Sequence, residues 1–244
     1  GEVCVSGMCM CAPGTTLVDG ACQLAPDVPP AERQVDDVCS RWFVGAEPAA
    51  TTVFHTSDDT CDAGRIDADA HDDAMRRLNY FRWLVGLEPA TVDAANVENA
   101  QAAAALFARN GAITHTPPAT WTCYSEQAAI AAERSSISIG VASPVVAVDA
   151  YIEDAGVDTL AHRRALLLPN LDRVGIGHYA DANAIWTFDE TSRTPPPFVA
   201  YPPPGPSPSV AVMGEWSFAA EEDVADGIIT ATDTATGRPY AVEQ

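Results

Sequence analysis

Apolar residues recur at helical spacing in two long stretches of the chain. From Asp67 to Val85, Met75, Leu78, the aliphatic stem of Arg82 and Val85 share one face. Acids crowd the start of that stretch and Gly86 follows its end, which suits a helix dipole and a left-handed terminal turn. From Asp93 to Asn110, Val97, Ala100, Ala104 and Phe107 form a second face that stops at Gly111, and the intervening alanines favour close packing on a helix or sheet. A third helix is predicted over Pro144–Glu153, with proline in the first turn, and a short one over Leu160–Leu168, stopped by Pro169. The period then shortens to two. Val174, Ile176 and Ala184–Phe188 read as strands, with Asp181, Ala182 and Asn183 as the turn between them. Helices grouped first and strands afterwards predict an α+β architecture and not alternating βαβ units.

The flanks are less regular. Residues 23–37 (QLAPDVPPAERQVDD) read as a linker, and 38–66 as an irregular segment with one strand around Thr51–His55. TPPPFVAYPPPGPSPS holds eight of the chain's 19 prolines, so it is extended, excluded from a central strand, and reads as a rigid strap. Val210–Phe218 and Ala225–Thr232 follow as a short β tail. The expected organisation is a stapled segment over 1–24, linker and irregular chain over 25–66, the main domain over 67–190, and strap plus tail over 191–244.

Charge narrows the function. Thirty-four acids against 13 bases give a net charge of −21 and a pI near 4.3, which excludes nucleic acid and disfavours anionic lipid surfaces. The acidity suits a solvated surface in a salty medium or one that concentrates cations. No apolar run reaches the roughly 18 residues a membrane span needs. Of the seven cysteines, Cys4, Cys9, Cys11 and Cys22 lie in a segment too small to bury a core. Zinc competes with disulfides there, but the C-x2-C pairs of metal knuckles are missing and the spacing favours disulfides. Cys39 with Cys61 is expected to close a further loop, leaving Cys123 odd. Disulfides place the protein outside the cytoplasm, secreted or at a cell surface. No signal peptide is visible, so the sequence reads as a processed or trimmed form.

Two resemblances follow from the motifs. CVSGMCMCAPGTTLVDGAC resembles the C-terminal half of an epidermal-growth-factor-like module, which implies Cys11–Cys22 and Cys4–Cys9 pairing. LNYFRWLVGLEP (Leu78–Pro89), AITHTPPATW (Ala112–Trp121), ERSSISIG (Glu133–Gly140) and AVDAYIED followed by AHRRALLLPNLDRVGIG (Ala161–Gly177) together resemble, in order, the motifs of the CAP superfamily (cysteine-rich secretory, antigen 5 and pathogenesis-related proteins), the last block as in its bacterial, SCP-like extracellular members. The tail FVAYPPPG…GEWSF is similar to an extension in some bacterial relatives. The resemblance implies an α-β-α sandwich with helices over both faces of a small, largely antiparallel sheet, and a cleft with two His and two acids, sometimes around a divalent cation. His115 and His162 match the two His positions, and Asp154, with Glu153 as the neighbouring alternative, matches one acid. The second acid stays open: one alignment puts Ser135 in its place, another points to Glu126, and Glu133 stands close by. Ala161 replaces the family's Gly.

Without the resemblance, two imidazoles and one or two carboxylates suit zinc or a similar ion. The separation of His115 from His162 gives no ligand geometry, and taken alone the residues better fit a proline turn ordered by His115 and a helix start marked by His162. The expected metal-site residues are therefore His115, His162, Asp154, Glu153 and Glu126, the expected cofactor is a divalent cation, zinc first, and no catalytic residue is assigned. The primary expectation is a binding protein for a cation, small ligand, lipid or surface protein. A hydrolase is the alternative, with metal-activated water and Asp154 or Glu126 as base, or with Ser135 as nucleophile and His115 or His162 as base. No G-x-S-x-G or H-E-x-x-H stretch supports it. A third is surface adhesion with an inert cleft. Tyr80, Phe81 and Trp83 are expected in the core, and the acidic run Asp67–Asp73, with His71 inside it, as a solvated helix start and not a calcium loop.

Overall fold

Local chemistry sets the helix ends in the computed structural model of the chain, which describes residues 2–5, 8–11, 15–18, 21–24, 28–43, 50–188, 194–212, 214–220, 230–233 and 235–240. Two hairpins come first, β1 (Glu2–Val5) with β2 (Met8–Cys11) and β3 (Thr15–Val18) with β4 (Ala21–Leu24). The pairings expected for Cys4, Cys9, Cys11 and Cys22 lie outside the described residues.

The linker expectation needs correcting at α1 (Val35–Phe43). Val35, Val38, Cys39 and Trp42 repeat at helical spacing, a period hidden because it straddles the end of the proline-rich stretch. Val38 is buried, Trp42 meets Tyr80 and Phe81 edge-on, and Arg33 donates from Nη1 to the Leu84 carbonyl at 2.8 Å. This segment is part of the main core. Tyr80 and Phe81 are buried as expected, whereas Trp83 is half-buried with the guanidinium groups of Arg33 and Arg41 stacked on it at 4.0 and 4.1 Å.

β5 (Val53–Phe54) pairs with β6 (Arg65–Ile66), and the loop between them is organised by Asp62. Its carboxylate accepts from the Thr56 and Ser57 amides, the Thr56 hydroxyl and the Gly64 amide, which hold it well below the usual carboxylate range. The same loop carries a Cys61–Cys123 disulfide, with Cys39 free among the described residues. That corrects the expected Cys39–Cys61 pair: Cys39 sits on α1, and the fold brings Cys123, 62 residues away in sequence, to within 5.2 Å Cα–Cα of Cys61.

The main helices fall where periodicity put them: α2 (Ala68–Leu84), α3 (Ala94–Asn110), α5 (Pro144–Glu153) and α6 (Ala161–Leu166), with α4 (Glu126–Glu133) as an addition. The carboxylate of Asp93 accepts the Asn96 amide at the start of α3, and the hydroxyls of Ser125 and Ser143 accept the Ala128 and Val146 amides at α4 and α5. Gly111 ends α3 in the left-handed conformation.

The central sheet has the order β7 (Thr91–Val92), β9 (Arg173–Tyr179), β10 (Ala182–Trp186), β8 (Ser135–Ile139). Only the β7–β9 pair within it is parallel. The turn is Ala180–Asp181, not Asp181–Asn183, because Asn183 is buried in β10 with its amide donating to the Gly177 carbonyl at 2.8 Å. Side chains alternate across the sheet. Val174, Ile176 and Ile185 join α2 and α5 in one core, while Ile137, Ala182, Ala184 and Trp186 join Ala100, Ala103 and Phe107 of α3 and Ala131 and Ala132 of α4 in another. This is the α-β-α sandwich in an α+β chain. At Gly175 and Gly177 an added Cβ would stand 2.0 and 2.2 Å from the α3 backbone at Asn96 and Ala100, so α3 rests directly on β9.

Arg82, fully buried in α2, donates to the carbonyls of Glu88, Leu166, Leu168 and Leu171, fixing the chain that leaves α6. The strap returns through β11 (Phe198–Tyr201) and pairs with β12 (Ser217–Ala220), and a last short pair joins β13 (Ala231–Thr232) to β14 (Pro239–Tyr240). Val199 and Tyr201 enter the α2–α5 core, and Arg163 ties this return to α6 through the Glu215 carbonyl at 2.7 Å.

Candidate functional site

Asp154 is the organising residue. It ends α5 in the left-handed conformation (φ 54°, ψ 35°), which aims its buried carboxylate back at the first turn of α6. One oxygen accepts the backbone amides of His162 and Arg163 at 3.0 and 3.1 Å, supplying the cap that Leu160, at the helix entrance, does not give. The other oxygen pairs with His162 Nδ1 at 2.7 Å. A proton on Nδ1 facing this carboxylate leaves Nε2 with its lone pair free. The His162 ring is about a quarter exposed and lies 5.1 Å from the Tyr151 ring, tilted by 31°. The buried Tyr151 hydroxyl is fixed by Ser138 Oγ at 2.9 Å and the Ser136 carbonyl at 3.2 Å, and burial raises its pKa far above the usual phenol value.

His115 is anchored separately. Its Nδ1 hydrogen-bonds the Ala132 carbonyl in the last turn of α4 at 2.7 Å, Nε2 has no hydrogen bond among the described residues, and the residue is exposed. The two imidazoles are thus held by different elements, His115 at the end of α4 through Ala132 and His162 at the start of α6 through Asp154, with no contact between the rings among the described residues. Of the expected residues, the fold joins Asp154 to His162 directly. Glu126 is exposed in the first turn of α4, and Glu153 borders a recess of about 130 Å³ with Trp42, Phe81 and Asp149. Ser135 is buried with its hydroxyl unpartnered among the described residues. The pleat places it on the face of Ile137, opposite Ser138 under Tyr151.

Asp154 has both oxygens committed, and among the described residues no three His, Cys, Asp or Glu side chains gather as a metal-binding group. Each imidazole is oriented through Nδ1, a phenol ring lies beside His162, and no complete cation cage is formed among the described residues. The supporting residues Tyr151, Ser138 and Ala132 were not foreseen. Tyr151 had a signal, being three residues before Asp154; a main-chain acceptor such as Ala132 has none.

The model of the cysteine-rich secretory protein family, CAP, matches residues 75–189. The match begins within α2, runs past β10, and includes His115 and His162. The matched stretch, just under half of the chain, is CAP-like. A crystal structure at 1.5 Å resolution of an extracellular protein containing an SCP domain from Bacillus anthracis str. Ames is similar at 16% identity and a TM-score of 0.39, over 48% of this chain and 39% of that one. The chain thus spans about two fifths of that protein's length. No curated protein matches the chain. Within the CAP-like stretch the most recognisable motif residues are structural: Asn79 clamps Ala90 through its amide and carbonyl at 2.9 and 2.8 Å, and Arg82 pins the loop after α6. Among the described residues no helix is long and apolar enough to cross a membrane.

Proposed function

We propose that this CAP-like domain is an extracellular binding module whose His115 and His162 imidazoles contact a small polar ligand or a divalent cation, zinc first among cations. The observation that carries the reading is the common orientation scheme. Each ring is held through Nδ1, by the Ala132 carbonyl or the Asp154 carboxylate, and keeps Nε2 free. Neutral imidazole nitrogen is a good zinc donor, and the rest of a coordination sphere would come from water or from a ligand's own oxygens. An oxidising setting is supported by the Cys61–Cys123 disulfide, and the net charge of −21 favours cations near the surface.

Calorimetric titration of the full chain with zinc near neutral pH tests the reading, with both histidines followed by NMR. One zinc per chain is expected, abolished by His115→Ala and by His162→Ala. No heat and unmoved imidazole signals would overturn cation binding. The Asp154–His162 pair also favours a second reading, hydrolysis, because a carboxylate-held imidazole is the usual form of a general base. That reading expects turnover of an ester or peptide that vanishes in His162→Ala while the fold survives. A broad substrate panel without turnover would remove it.

A further inference from the structure

The C-terminal end of β9 holds a buried imidazole that the fold leaves unsatisfied. His178 is 1% exposed, and both its ring nitrogens are buried without a hydrogen-bond partner among the described residues. Gly177 turns toward α3, so the pleat sets the His178 ring on the opposite face, with Ile176 and the apolar α2–α5 core. The Ala180 backbone, outside hydrogen-bond geometry, and the Asp181 carboxylate favour a charged ring, but burial outweighs them and lowers the pKa. A ring that takes up a proton has to reach water, and so has to leave the sheet.

The main chain at the same residue anchors the β5–β6 hairpin. Gln101 of α3 accepts the His178 amide with Oε1 at 3.0 Å, and its Nε2 donates to the His178 and Ala63 carbonyls, both at 3.0 Å. Next along β9, Tyr179 meets His55 edge-on at 5.9 Å and lies under the Arg109 guanidinium, which donates to the Thr60 and Asp62 carbonyls. The loop of the hairpin is thus fastened around residues 178–179, and the Cys61–Cys123 bond keeps it tethered when those contacts part.

We propose that His178 is an acid-sensitive latch: neutral, it seals the end of β9 and holds the β5–β6 hairpin down, and its protonation opens that end and frees the hairpin while the rest of the fold stays intact. The sign follows from burial. A lowered folded value makes the ring's contribution complete above its unfolded value, about 6.5, and lost progressively as pH falls below it. The other groups around this end do not share that behaviour by placement. Asp62 is held charged well below this range, Tyr151 on α5 is a phenol pushed upward by burial, and Arg65 on β6 and Arg109 on α3 do not titrate. β7 and β10 carry no ionisable residue. Asp149 on α5 is raised to about 6 by burial, so acid relieves a costly charge there and acts in the opposite sense. His55 in the loop and His71 on α2, whose Nδ1 faces Asp72 at 3.9 Å, are the rival sensors. The latch is independent of the His115 and His162 reading.

Amide hydrogen exchange of the full chain, corrected for the intrinsic pH dependence of exchange, tests the latch, with the amides at position 178 and in β5 and β6 as reporters. Between pH 7.5 and 5.5 their opening is expected to rise about tenfold, since one pH unit below the unfolded value is worth about that factor, while amides of α2 and α5 stay protected. His178→Leu is expected to remove the rise, with His178→Gln as a second neutral replacement, and His55→Gln and His71→Leu to keep it. Thermal unfolding confirms that each variant is folded. In the wild type, 15N NMR of the imidazole decides without any variant: His178 is expected to read as neutral in the closed form at pH 5.5. No rise in the wild type, a rise shared by the α2 and α5 amides, a rise that persists in a folded His178 variant or is lost in His55→Gln or His71→Leu, or a His178 ring charged at pH 5.5 with its amide still protected would overturn the proposal.

Discussion

Asp154 does three jobs with one carboxylate: it caps α6, orients His162 and tolerates the left-handed turn that ends α5. Replacing it with Ala removes all three contacts while leaving the positive φ in place. Asp154→Ala is expected to lower stability by about 1–3 kcal/mol in denaturant unfolding, and to free the His162 ring so that its NMR signals broaden. Asp154 and His162 could be read from the motif block because their spacing is local. The support of His115 could not, since a carbonyl acceptor such as Ala132 leaves no residue-type signature. Ser135 shows the converse: it is legible as the start of β8, but the pleat, which the motif does not state, puts it on the α3–α4 face, away from Tyr151.

Among the elements, the contact between α3 and β9 is the tightest joint of the sandwich. The VGIG motif supplies two glycines where the α3 backbone passes, and the alanines of α3 face the same side of the sheet. Gly177→Ala is expected to force the helix off the sheet and to cost about 3 kcal/mol in chemical denaturation, because the atoms it meets are backbone that cannot rotate away. The alanine-rich face and the Gly111 stop were legible in sequence. Two elements were not. α1 was hidden by the linker-like composition before it, and α4 by an alanine-rich stretch whose one clear sign is the Ser125 cap.

At the scale of the whole molecule, the flanking segments are built into the domain. α1 covers Tyr80 and Phe81, Tyr201 returns from the strap into the same core, and the Cys61–Cys123 bond ties the β5–β6 loop to the chain between α3 and α4. Because that bond spans 62 residues, its removal relaxes the unfolded chain considerably. Cys61→Ser with Cys123→Ser is expected to cost about 2–4 kcal/mol, read as a lower Tm, with the circular dichroism of the sandwich helices preserved at room temperature.

By itself the sequence determined the main helices, the shift from helical to strand period and the family motifs, because each is written in local spacing and residue type. Tertiary structure alone decided which cysteine meets Cys61, that α1 belongs to the core, and what holds each imidazole. Those outcomes depend on chain segments far apart in sequence arriving at one place, and on main-chain carbonyls, which no residue letter encodes.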